Sequence, residues 1–133
     1  MVVGRFDVAI PQGVTGRARG PVEVQAACGA ALVELAGAFA TTAVAGSLEA
    51  WAGVVGSLQR VIDVASAAQD AAIARLAAIE PEFLEDGTVV ECHRGLGHVA
   101  LDAPAIVSGV LATSAVHAQR RVRTAASRGR TGR

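Results

Sequence analysis

LEAWAGVVGSLQRVIDVASAAQDAAIARLAAI, residues 48–79, sets the architecture expected of this chain. Trp51, Val55, Leu58, Ile62, Ala65, Ala72, Leu76 and Ile79 recur at spacings of three and four, with Gln69 as a polar interruption. Val54 and Val61 widen the stripe, and Arg60, Asp63 and Asp70 share the opposite face. That periodicity predicts one amphipathic helix, about 48 Å long at 1.5 Å per residue. So long a helix either pairs, within the chain or between two copies, or bends around its own chain. The stripe lacks charged flanks of the coiled-coil kind, which favours the wrapped helix.

Upstream, Gly46 ends one element and Ser47 is placed to cap the next. Cys28, Leu32, Leu35, Phe39 and Ala43 form one face of an earlier helix that Pro21 opens. From Ala26 to Leu48 the only charge is Glu34, so the stretch is long enough to span a bilayer. Arg17 and Arg19 would then mark the inner side. Ala and Gly gain little from lipid, however, and Glu34 is costly at mid-span. A buried Ala-rich helix in a bundle is therefore expected, with a small membrane protein as the lesser alternative. Residues 1–20 hold Gly4, Pro11, Gly13, Gly16 and Gly20 and predict a flexible arm. No continuous apolar core precedes a small-residue cleavage site there, so no signal peptide is expected. Cys28 and Cys92 then read as reduced, buried thiols of a cytoplasmic protein, a bridge between them being possible but without sequence support.

Downstream, Glu80-Pro81 stops the long helix and Asp86-Gly87 marks a turn. Thr88 to Glu91 is β-prone and predicts a short extended piece, and Gly95 and Gly97 loosen the chain after it. Asp102, with Pro104 behind it, predicts the start of a helix whose apolar face is Ile106, Val107, Val110 and Leu111. Thr113 or Ser114 caps a second helix with Val116, Ala118, Val122, Ala125 and Ala126 inward and Arg120 and Arg123 outward. The expected fold class is all-α, a helical bundle with one long amphipathic helix and a C-terminal helix-turn-helix-like pair. The expected organisation is an arm at 1–20, a helical domain at 21–126 and a disordered basic tail at 127–133.

Composition agrees with close-packed helices. The chain has 133 residues, 52% of them hydrophobic but only 3% aromatic. That length is one domain by the usual prior and suffices for a core without disulfide or metal. Much of the apolar content is Ala, the best helix former and a poor filler of space. The net charge of +0 hides a segregation. Asp63, Asp70, Glu80, Glu82, Glu85, Asp86 and Glu91 face only Arg75 in the middle of the chain. Arg94, Arg120, Arg121, Arg123, Arg128, Arg130 and Arg133 face only Asp102 at its end. A basic end suits an anionic partner. Every base is Arg and there is no Lys, a pattern spread over the whole chain rather than confined to one site.

In a helix-turn-helix the second helix enters the major groove. On that reading Arg120, Arg121, Arg123, Arg128 and Arg130 grip phosphates of duplex DNA, and Ser114, His117, Gln119 and Arg120 reach base edges. Cys92, His93, His98 and His117 are the only soft-ligand cluster, and it lacks the paired spacing of a zinc site. No metal, cofactor or small-molecule ligand is expected. Glu80, Glu82, Glu85 and Asp86 read as a solvated acidic turn, able to dock against the basic tail of the same chain or of a second copy. An enzyme would require a pocket gathering Glu91, His93, Arg94 and His98, and no catalytic residue is assigned.

Two stretches, IDVASAAQDAAIARLAAIEPEF at 62–83 and DGTVVECHRGLGHVALDAPAIVSGVLATSAVHAQRRVRTA at 86–125, carry a family resemblance. Together with the long Ala-rich helix, Asp-Ala-Pro at 102–104 and Ala-x-x-Arg-Val at 118–122, they resemble the helical domain DUF222 of the actinobacterial 13E12 repeat proteins. The resemblance covers roughly Trp51 to Ala126. In many members that domain precedes an HNH endonuclease domain, so the resemblance implies a DNA-associated helical module. HNH chemistry needs clustered His and Asn around a metal, and this chain has no Asn. On the resemblance, the chain is a shortened relative or a piece of a longer protein, without nuclease activity of its own.

Overall fold

Pro21 opens the first helix described in the structure, a computed structural model that describes residues 20–41 and 45–131. The elements are α1 (Pro21–Thr41), α2 (Leu48–Ala77), β1 (Ile79–Phe83), β2 (Val89–His93), α3 (Ala103–Leu111) and α4 (Ala115–Thr131). The chain divides into two compact units, Met1–Gly46 and Ser47–Arg133. This differs from the single domain expected over 21–126. The expected arm and Ala43 lie outside the described residues.

In the first unit, α1 exposes Val22, Val24, Leu32, Val33 and Phe39. The buried bundle helix expected here is corrected: among the described side chains of α1, Leu35 alone is half-buried. By length and composition, Pro21–Ala40 is apolar enough to cross a membrane, although Glu23 and Glu34 lie within it.

In the second unit, Ser47 caps α2 as expected, its Oγ accepting the Ala50 amide at 3.1 Å. The helix runs 30 residues and ends two residues before the expected Ile79. Its burial is confined to one end, at Ile73, Ala74 and Ala77. The expected inward stripe is thus corrected over most of its length: Val55, Val61 and Ile62 are exposed at 68%, 46% and 55%, and Trp51 and Leu58 are half-buried. The helix is not wrapped by its own unit there, because the three-helix core reaches it only from about Asp70 onward.

β1 and β2 pair antiparallel, from Ile79 opposite His93 to Phe83 opposite Val89. The all-α class holds in outline, since the described chain is mostly helical, with this small hairpin added to it. The acidic turn expected at 80–86 is therefore largely strand up to Phe83; Glu and Pro are depleted in strands, but in a two-stranded sheet every strand is an edge, where Pro81 is tolerated. Asp86 closes the turn by accepting the Thr88 amide at 2.9 Å, and Gly87 takes φ 84°, which glycine adopts without strain. The carboxyl of Asp86 is held below the usual aspartate range, first by the Thr88 hydroxyl and then by its amide.

The chain after β2 is tied to the end of α2, with Arg94 N donating to Ala78 O at 2.7 Å and Ala100 N to Ala77 O at 2.8 Å. Asp102 occupies the N-cap position of α3, but its side chain makes no capping bond and its backbone is helical. Ala112 ends α3 at φ 49°, a left-handed conformation that costs an L-residue roughly 1–2 kcal/mol. Ser108 Oγ steadies the turn by donating to Thr113 O at 2.6 Å. Ser114, rather than Thr113, begins α4, its Oγ accepting the His117 amide at 3.3 Å.

The core is Ile73, Ala74, Ala77, Ala100, Ala103, Val107, Ala118, Val122 and Ala125, with Leu76 and Leu111 packed against it. The inward positions expected on α4 hold except for Val116, which is exposed. On α3, Val107 is buried, whereas Ile106 and Val110 are exposed. The disordered tail expected from Ser127 is corrected as well, since α4 continues to Thr131. Packing supports this turn: a Cβ on Gly129 would meet Ala74 Cβ and Leu96 Cβ at 3.6 Å, an ordinary van der Waals contact. The last turn of α4 therefore lies directly on α2 and on the 94–100 segment.

Candidate nucleic-acid interface

α4 carries Arg120, Arg121, Arg123, Arg128 and Arg130 and no acidic residue. Its buried face is Ala118, Val122, Ala125 and Ala126, and helical geometry distributes the arginines around the remainder. Arg121 and Arg128 are seven residues apart and flank one side of the buried stripe. Arg123 and Arg130 are likewise seven apart and flank the other. Each pair is spaced about 10.5 Å along the axis. Arg128 and Arg130 also sit in the last turn, where the helix dipole favours cations.

The two flanks meet different surroundings. Arg121 Nη2 lies 3.3 Å from Asp70 Oδ1 and donates to Gln69 Oε1 at 2.6 Å. Arg128 Nη1 lies 2.9 Å from Asp70 Oδ2. One carboxylate of α2 thus takes two of the expected phosphate-gripping residues. Arg120, Arg123 and Arg130 are exposed and have no carboxylate partner among the described residues. Gln119 and His117 are exposed beside them, near the N-terminal end of α4. Of the tail, Arg128 pairs with Asp70 on α2 and not with the acidic turn.

Gln69 and Asp70 escaped sequence reasoning as site residues. Gln69 had a legible signal, since it breaks the apolar stripe where α4 comes to rest. Asp70 was assigned to the outer face, and only the crossing of α4 turns it inward. Asp70 and Arg128, with Arg75 and Gly129, line a groove of about 230 Å³ between α2 and α4. A second groove of about 160 Å³, between α2 and α3, is apolar except for Gln69.

The soft-ligand cluster is dispersed, and the expected burial of both thiols is corrected: Cys28 is exposed and Cys92 only half-buried. Cys92 donates to Glu82 Oε2 at 2.7 Å, and that bond to a carboxylate raises its pKa above the usual thiol value. Cys92 is thereby kept in its less reactive protonated form. Glu80 Oε2 lies 3.3 Å from Arg94 Nε and 3.2 Å from His98 Nε2, the latter contact lacking the alignment of a hydrogen bond. Glu91 and His93 occupy the opposite face of β2 from Cys92. Among the described residues, no three His, Cys, Asp or Glu side chains are grouped to hold a metal. Neither groove above is lined by Glu91, His93, Arg94 or His98. Comparisons with protein families, with curated proteins and with solved structures return no match.

Proposed function

We propose that this chain is a non-catalytic, cytoplasmic helical module that contacts duplex DNA through α4, as its resemblance to DUF222 implies. The observation that carries the reading is the set of exposed arginines on α4, Arg120, Arg123 and Arg130, with no carboxylate partner among the described residues. Exposed guanidinium groups on one helix suit phosphate oxygens, which they can bond in a bidentate fork. α3, the short turn at 112–114 and α4 supply the helix-turn-helix-like frame, with His117 and Gln119 on the half of α4 that would approach base edges. The test is binding to duplex DNA across a salt series. Replacing Arg120, Arg123 and Arg130 together by Gln is expected to abolish the salt-dependent component of binding. Unchanged binding in that variant would remove the assignment.

A second reading rests on α2. Its first part exposes Val54, Val55, Val61, Ile62 and Val64, a stripe suited to a second copy of the same helix. Sedimentation equilibrium discriminates: a dimer dispersed by V55E/I62E and without affinity for DNA favours pairing as the role.

A further inference from the structure

We infer that Asp70 divides the arginines of α4 into a held pair and a free set, so that the DNA-contacting surface comprises Arg120, Arg123 and Arg130 and excludes Arg121 and Arg128. This inference rests on the proposed DNA contact and specifies which cations make it. Asp70 reaches both members of one flank at once, with one oxygen 3.3 Å from Arg121 and the other 2.9 Å from Arg128. Arg121 is further held by Gln69 at 2.6 Å, and its side chain is only 29% exposed. Arg128 is 69% exposed, yet it borders the groove that Asp70 also lines. A phosphate approaching Arg128 from the groove therefore meets a carboxylate. On the opposite flank Arg123 and Arg130 face solvent with no such competitor among the described residues, and Arg120 lies between the two rows.

The salt dependence of binding counts the phosphates neutralised, at about 0.9 in the log–log slope for each contact with duplex DNA. Three free arginines predict a slope near −2.7, and all five would give about −4.5. Asp70→Asn releases the held pair, so its slope is expected to move toward the steeper value. Its affinity loss between 50 and 200 mM salt should then exceed that of the unaltered chain by about twelvefold. R121Q/R128Q in the unaltered background is expected to leave the slope near −2.7, because those residues were not counted. The unaltered protein's own slope is the first arm and requires no variant to fold; circular dichroism melts accompany the other two. A slope near −4.5 in the unaltered protein, or a drop of about 1.8 in R121Q/R128Q, overturns the division while leaving DNA contact intact. An unaltered protein that binds no duplex DNA at low salt overturns the DNA reading itself.

Discussion

From Leu48 to Gln69, α2 leaves Val55 and Ile62 more than half exposed, whereas further along the same helix Ile73, Ala74 and Ala77 are buried. Both stretches show the same apolar spacing, and the exposed one carries the larger side chains. The difference lies in what meets them. Over the buried stretch, α4 brings Ala118, Val122 and Ala125, and α3 brings Ala103 and Val107. These small residues let the helices approach closely, so a core with a single large, fully buried side chain, Val122, holds three helices together. Periodicity marks the face of a helix that can be covered; it does not show that a cover exists.

The strongest way to break this comparison is to place a charge at each end. Val122→Asp buries an unpaired carboxylate in the core and is expected to unfold the Ser47–Arg133 unit, at a cost of about 4 kcal/mol or more. Ile62→Asp is expected to leave that unit's monomer stability within about 0.5 kcal/mol. Urea denaturation followed by circular dichroism measures both; similar losses would show that the exposed stretch is covered in solution. A smaller effect should sharpen the view that the α3–α4 turn presents the cover. Ala112 pays for a left-handed backbone at φ 49°, so Ala112→Gly should raise stability by about 0.5–1 kcal/mol in the same measurement. No gain would mean that the turn relaxes to another conformation.

The smallest effect concerns the hairpin that joins the end of α2 to α3. The Asp86 carboxyl, held low by Thr88, stabilises the turn above the unfolded aspartate pKa of about 3.9. That contribution is lost as pH falls through the lower folded value. The Thr88 amide resonance is therefore expected to titrate below about pH 3.9, and Asp86→Asn to abolish the titration. Titration at or above that value would show the turn bond to be absent.

Much of the helical pattern was legible. Ser47 and Pro21 announced helix starts through capping and missing-donor chemistry, and the inward face of α4 followed from spacing alone. β1 was not legible, because Glu80, Pro81 and Glu82 argue against a strand until Val89 to His93 arrive as a partner. The end of α4 was misread for a related reason. Gly129 weakens an isolated helix, yet the last turn of α4 is held in place by its contact with Ala74 and Leu96. The basic face was visible as a run of arginines, but their division was not, since Asp70 lies about fifty residues away in the chain.

By itself, the order of residues determined the helical character, the caps at Ser47 and Ser114, the turn at Asp86-Gly87 and the crowding of guanidinium groups onto the last helix. These depend on neighbours within about four positions, where backbone geometry leaves few choices. Only the tertiary structure decided which apolar stripe is covered, that α4 persists to Thr131, and that Arg121 and Arg128 are tied to Asp70. Those outcomes depend on where distant segments cross, and ion pairing and burial act through space rather than along the chain.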